Sequence, residues 1–217
     1  MIPAGAPRGI DVWVFDLDNT LYPASDLYDE IGERMTAYIA RALGIEAEHA
    51  LALRERYFHD YGATITGLVK HHDIDARDYL HDVHLADHSV LSADAELRAL
   101  LARLPGRRII HTNGGGGHAE RVLESLNLSD LFDGIFDIGH AALAPKPQRE
   151  AFDRLIAAHA IDPRRAMLIE DTLRNLEPAF EMGFATALVG PVHPEPRPAY
   201  VQHWARDVKG LLQGWLG

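Results

Sequence analysis

The chain has 217 residues, 47% of them hydrophobic and 24% charged, with a formal net charge of −11 and no cysteine. That length supports one good core plus a smaller appendage, and the balance is that of a folded rather than a disordered protein. So acidic a surface repels phosphate backbones and argues against a nucleic-acid groove, while the missing cysteines exclude disulfide scaffolds, thiolate metal sites and thiol nucleophiles together.

Val12, Trp13, Val14 and Phe15 form a short apolar run closed by a polar turn, which predicts a buried strand over 11–16. From Ser25 to Leu91 the texture becomes helical, with Leu27, Ile31, Met35 and Ile39 recurring every four residues, followed by Leu51, Leu53, Tyr57 and Phe58. From Ala95 onward strands and helices alternate. Helices are predicted over 96–104, 118–126, 148–160 and 173–182, and strands over 108–112, 134–138, 166–169 and 186–189. Short connections between them signal a parallel sheet covered on both faces. The four prolines between Pro191 and Pro198 read as an extended linker. Val201, Trp204, Val208, Leu211 and Leu212 then form a terminal amphipathic segment.

The expected fold is therefore α/β, a doubly wound (Rossmann-like) parallel sheet core made of residues 1–22 and 92–217, with an inserted all-helical cap over 23–91. Ligands of open α/β sheets bind at the carboxyl ends of the strands, the edge such an insertion overlies. No apolar run approaches the ~20 residues of a membrane span, and Met1 to Gly9 lacks the order of a secretion signal. A cytoplasmic protein with no membrane partner is expected. The thirteen histidines are scattered. A histidine metal site needs three or four of them to converge, so solvated side chains are the expectation.

The chemistry concentrates in Asp16-Leu17-Asp18-Asn19-Thr20 at the end of the first strand. As a bare pattern, Asp-x-Asp-x-Thr arises by chance in about 3% of chains this long, and such residues also favour plain turns. Three further polar elements sit at or just beyond later strand ends: Thr112-Asn113, Lys146 between two prolines, and Glu170-Asp171. Their order and shared placement make coincidence a poor account.

Phe15-Asp16-Leu17-Asp18-Asn19-Thr20-Leu21, Thr112-Asn113, Pro145-Lys146-Pro147 and Ile169-Glu170-Asp171 resemble the four motifs of the haloacid dehalogenase superfamily, and the resemblance covers the whole chain. More narrowly, Asp18 to Pro23, Tyr61-Gly62, Gly67-Leu68, Val83-His84, and His118-Ala119 ahead of Arg121-Val122-Leu123 are similar to its pyrimidine 5′-nucleotidase branch. Glu170 stands where a second aspartate is usual, and Gly114 to Gly117 follow Asn113 as either a flexible loop or a backbone cradle for phosphate.

The resemblance implies a phosphate-monoester hydrolase with Mg²⁺ as cofactor and a small phosphorylated metabolite, a nucleotide, as partner. Asp16 would be the nucleophile, with Asp171, Glu170 and the main-chain carbonyl of Asp18 completing the metal shell. Thr112, Asn113 and Lys146 would hold phosphate oxygens. Asp18 would protonate the leaving alcohol and later deprotonate the attacking water. Tyr22, Tyr61 and His84 are the implied substrate or cap residues. A dehalogenase has little use for Asp18 or a metal. In a phosphorylatable receiver module the acidic pair precedes the phosphoacceptor, whereas Glu170-Asp171 follows Asp16. A phosphomutase or a phosphatase for sugar phosphates or phosphoglycolate-like metabolites stays open, because only the cap would differ. The sequence leaves the oligomeric state open.

Overall fold

The computed structural model describes residues 7–217 apart from Ala24 and the side chain of Ser25, so most of the segment read for a secretion signal lies outside the described residues. Six strands form one parallel sheet in the order β3-β2-β1-β4-β5-β6. They are β1 (Val12–Phe15), β2 (Arg107–His111), β3 (Gly134–Phe136), β4 (Ala166–Glu170), β5 (Ala185–Val189) and β6 (His203–Ala205). Chain order reverses direction between β1 and β4, which places the topological switch point beside the central strand.

Successive side chains of a strand point to opposite faces, and β1 follows this rule. Trp13 and Phe15 enter one core with Ile110, Met167 and Ile169. Val12 and Val14 enter the other with Ile109, Leu168 and Phe152. The first face is covered by α5 (Ala95–Ala102), α6 (Gly116–Ser125) and α9 (Val208–Leu216), and the second by α7 (Arg149–His159) and α8 (Leu173–Glu181). Burial on both faces explains why these strands read as continuous apolar runs.

Between β1 and α5 lie α1 (Ser25–Leu43), α2 (Ala47–Tyr61), α3 (Thr64–His72), α4 (Ala76–Val83) and a single helical turn, His88–Val90. The four helices share their own apolar cluster, in which Ile39, Ala50, Tyr57, Leu68 and Tyr79 are buried. Sheet-side residues join that cluster through Ile138 and Leu143. Local chemistry sets several ends. Asp75 caps α4 by accepting from the amides of Arg77 and Asp78, and Asp207 caps α9 through Gly210. Gly62 ends α2 with a left-handed φ of 85°. A Cβ there would stand 3.0 Å from the Lys146 carbonyl oxygen, so this turn packs directly on a loop of the sheet edge.

Two expectations change. The terminal amphipathic segment divides into β6, paired in parallel with β5, and α9. Nor are all the histidines solvated: His84, His88, His111 and His118 are buried. Each sits against a neighbouring ring or a polar partner, His111 between Phe136 and Phe152, for example. Among the described residues no helix is long and apolar enough to cross a membrane.

Candidate active site

The carboxyl ends of β1, β2 and β4 bring Asp16, Thr112, Glu170 and Asp171 together, and the loop before α7 adds Lys146. They floor a cavity of about 1120 Å³ whose opposite wall is the helical insertion, with Tyr28, Arg54 and Phe58 among its lining residues. Register makes the convergence possible. Phe15 pairs with Ile169, so Asp16, just past β1, and Glu170, the last residue of β4, stand side by side at the sheet edge.

Lys146 is the hub of one side. Its buried ammonium donates to Asp16 Oδ1 at 2.7 Å, Glu170 Oε2 at 2.8 Å and the His111 carbonyl at 2.6 Å, which uses its three hydrogens. Asn113 aims this loop from both ends of its amide: its Nδ2 donates to the Lys146 carbonyl at 3.0 Å and its Oδ1 accepts from the Lys146 amide at 2.8 Å. The Asn113 side chain is thus engaged with the main chain of Lys146 and fixes that loop beside Asp16. Thr112 Oγ1 accepts from the Gly114 amide at 2.9 Å and keeps its own hydrogen to donate.

Negative charge exceeds what one lysine can balance. Carboxylate oxygens of Asp16, Glu170 and Asp171 all lie within 4.8 Å of one another. Burial pushes the Asp16 carboxyl up to about 7, with the Glu170 charge adding to it and Lys146 opposing. Burial raises Glu170 against the pull of Lys146, and burial followed by the charge of Asp16 raises Asp171. Crowded oxygen ligands that resist ionisation beside one another suit a small hard divalent cation, whose charge reverses that cost.

Asp18, two residues on, meets the opposite surroundings. Tyr22 donates its hydroxyl to Asp18 Oδ1, and His118 Nε2 stands 2.8 Å from the same atom. Burial pushes Asp18 up, but the charge and hydrogen bonds of His118 and the bond from Tyr22 outweigh it and hold the carboxyl below its usual range. His84 stacks on His118 with ring centres 4.8 Å apart and is itself pushed down to about 3 by burial and by His118. Without a bound cation or phosphate, the ordering is therefore Asp16 high and Asp18 low. A cation beside Asp16 lowers the one, and a phosphate dianion beside Asp18 raises the other.

A family model for the haloacid dehalogenase-like hydrolases matches residues 10–183, which include all four strand-end elements. The chain belongs to this family. Phosphate metabolism protein 8 of Saccharomyces cerevisiae is 29% identical over 191 residues, 79% of this chain and 59% of that protein. The N-acetylmuramic acid 6-phosphate phosphatase of Pseudomonas aeruginosa is 40% identical over 99 residues, 45% of this chain and 42% of that protein. The chain therefore spans less than two thirds of the length of either relative. Among solved structures, the HAD phosphatase of Thermococcus onnurineus aligns with a TM-score of 0.64 at 17% identity, covering 94% of this chain and 97% of that one. That likeness establishes the shared fold.

Within this haloacid dehalogenase-like scaffold, Asp16, Asp18, Thr112, Asn113, Lys146, Glu170, Asp171 and His84 all line the cavity. Tyr22 is buried behind Asp18. Tyr61 is not brought there: its ring packs on Tyr57 and His71, under Lys70, and its hydroxyl meets His71 Nε2 at 2.6 Å. The glycine run leads straight into α6, which begins at Gly116. The Gly116 amide donates to Asp137 Oδ2 at 2.5 Å, and a Cβ on Gly114 or Gly115 would press on His118 or His84 at 3.3 Å. These glycines let the backbone pass close to the histidines around Asp18. Sequence reading did not assign His88, His118, Arg54 or Arg174 to the site. The pairing of His118 with Asp18 spans 100 residues of chain, and no local spacing signals it.

Proposed function

We propose that the chain is a Mg²⁺-dependent phosphate-monoester hydrolase that works through an aspartyl-phosphate on Asp16, with pyrimidine nucleoside 5′-monophosphates as substrates. The observation that carries this reading is the pair of carboxylates two residues apart, Asp16 among Lys146, Glu170 and Asp171, and Asp18 among Tyr22 and His118. Residues 1–22 and 92–217 are read as the catalytic core and 23–91 as the cap.

When bound at Asp16, Asp171, Glu170 and the main-chain carbonyl of Asp18, Mg²⁺ supplies the charge neutralisation that lets a carboxylate approach a phosphate dianion. The side chain of Asp18, held at Oδ1 by Tyr22 and His118, is kept for the leaving group, and its carbonyl would be the group offered to a metal. Asp16 attacks phosphorus, and the bond from phosphorus to the leaving oxygen breaks. Asp18 gives its proton to that oxygen, and the alcohol departs. Asp18 then takes a proton from water as the water oxygen attacks phosphorus, and the bond to Asp16 breaks. Thr112 donates its free hydroxyl hydrogen to a phosphoryl oxygen, and the positive charge of Lys146, held beside Asp16, offsets the charge that gathers there.

The insertion wall supports a nucleotide. Tyr28 and Phe58 expose 48% and 55% of their surface and both line the cavity, where a base can stack. Preference for a pyrimidine rests on the branch resemblance of the first motif and of His84. A sugar phosphate is the second reading, favoured by the name of the Pseudomonas relative. Phosphate release measured as kcat/KM on UMP and CMP against AMP, GMP, a hexose 6-phosphate and phosphoglycolate separates them. A clear preference for a non-nucleotide overturns the substrate and leaves the phosphatase reading standing. Undiminished turnover after exhaustive chelation overturns the metal.

A further inference from the structure

We propose that Tyr22, His118 and His88 form a clamp that orients the carboxyl of Asp18, so that Oδ2 is the oxygen presented to the leaving group. The proposal rests on the assignment of Asp18 as the group that protonates the leaving oxygen, and it adds residues from three separate elements to that step.

Both oxygen contacts of the clamp fall on Oδ1, the Tyr22 hydroxyl from one side and His118 Nε2 at 2.8 Å from the other. Among the described residues no hydrogen bond reaches Oδ2, and Asp18 lines the cavity. A carboxyl held by one oxygen at two points cannot turn about its last torsion without breaking a buried bond, which costs about 1–3 kcal/mol when a polar group is left unsatisfied.

His118 is fixed in turn. The Nδ1–H of His88 donates to the Ala86 carbonyl at 2.8 Å, which leaves His88 Nε2 as an acceptor. His118 Nδ1 lies 3.0 Å from that nitrogen and donates to it, which turns Nε2 toward Asp18, where it donates to Oδ1 when the ring carries both hydrogens as an imidazolium. His84 closes the flat side of the ring by stacking at 17°, and its own Nδ1–H is tied to the Leu80 carbonyl at 2.8 Å. His118 is 1% exposed, His84 5% and His88 7%, so water does not substitute for these partners. Tyr22 follows β1, His118 stands on α6, and His84 and His88 come from the end of the insertion. The reacting carboxyl is therefore aimed jointly by the core and by the insertion, with Tyr22 and His88 acting through Asp18 and His118. Tyr22 and His88 are positioning residues.

Leaving groups distinguish this role from mere packing. An alkyl phosphate needs its departing oxygen protonated, whereas p-nitrophenyl phosphate releases a stable anion. Single-turnover release of the alcohol and burst release of p-nitrophenolate would be measured for the full chain with Mg²⁺, comparing wild type with Tyr22→Phe and His118→Phe. Tyr22→Phe removes one oxygen and nothing else. Each variant is expected to slow alkyl release by about 10- to 100-fold, a portion of the 10²–10⁴-fold that a positioned acid contributes. The loss on p-nitrophenyl phosphate is expected to be at least tenfold smaller, with KM moving little on either substrate. His88→Gln, which can still accept from His118, is expected to retain more alkyl activity than His88→Leu. Equal losses on the two substrates, or a change confined to KM, would overturn the clamp. A wild-type enzyme that releases neither alcohol would instead refute the phosphatase reading itself, a separate result.

Discussion

The two walls of the cavity are built on opposite principles. On the sheet side the groups are charged, buried and over-held. Lys146 spends every hydrogen on fixed acceptors, and Asp16, Glu170 and Asp171 crowd within 4.8 Å. On the insertion side the wall carries half-exposed rings, Tyr28 and Phe58, with Arg174 of α8 reaching across to stand 5.4 Å over the Phe58 ring. Rigid electrostatics belongs where a phosphoryl group must be handled identically each time, and adaptable contact area where different leaving groups must be told apart. The contrast supports a division of labour: reaction type from the sheet edge, selection from the insertion.

The division breaks most sharply at Asp16. Asp16→Asn is expected to lower kcat by about 10⁴-fold or more, as loss of a nucleophile does elsewhere. The melting temperature without metal is expected to hold or rise, because one of three crowded carboxylates is gone. Retention of a tenth of the wild-type rate would remove the nucleophile from the sheet edge. Lys146→Met is the next largest. It leaves Asp16 and Glu170 facing each other unpaired, and removing one partner of a buried ion pair costs about 3–5 kcal/mol. Urea unfolding measures it, and a loss under about 1 kcal/mol would mean that the carboxylates are already relieved in solution.

The same crowding gives a pH signature. The folded Asp16 carboxyl titrates at about 7 against 3.8 ordinarily, so between those values the folded state holds a proton that the unfolded state has released. Its contribution to stability is complete below about pH 3.8 and is lost as pH rises through about 7. The upward shifts of Glu170 and Asp171 act with the same sign. A bound Mg²⁺ needs the carboxylates ionised. The rise in melting temperature on adding Mg²⁺ is therefore expected to grow from pH 5 to pH 7.5. A shift independent of pH would place the metal elsewhere.

Much of the sheet edge was legible because its residues stand next to apolar runs. Asp16 follows Val12–Phe15 and Asp171 follows Ala166–Glu170, and runs buried on both faces are what a sequence displays most plainly. The strand β6 escaped notice for the converse reason. Its three residues are half-polar, pair on one edge only, and merge into the helical pattern of α9. The surroundings of Asp18 were hidden more deeply. His88 sits in one helical turn and His118 at the start of α6, and only the folded chain sets a nitrogen of one ring 3.0 Å from a nitrogen of the other. A scattered histidine reads as solvated until the fold shows what lies against it. Tyr61 taught the reverse, since an aromatic beside a cap motif packs on Tyr57 and His71 and leaves the cavity wall to Phe58 and Tyr28.

The smallest expected effect tests the insertion wall. Phe58 lies on α2, is 55% exposed, and has the Arg174 guanidinium over its ring, so it joins the insertion to α8 at the rim of the cavity. A base entering there can stack on the ring face opposite Arg174. Base–aromatic stacking contributes about 1–3 kcal/mol, and so exposed a ring belongs at the low end. Phe58→Ala is then expected to lower kcat/KM for a nucleoside monophosphate by about fivefold, through KM, since about 1.4 kcal/mol corresponds to tenfold. For a short alkyl phosphate, which has nothing to stack, kcat/KM is expected to stay within about twofold. Steady-state kinetics on both substrates decides the matter. If the alkyl ester suffers equally, Phe58 holds the insertion closed over the sheet edge instead of reading the substrate, and the two walls act as one catalytic unit.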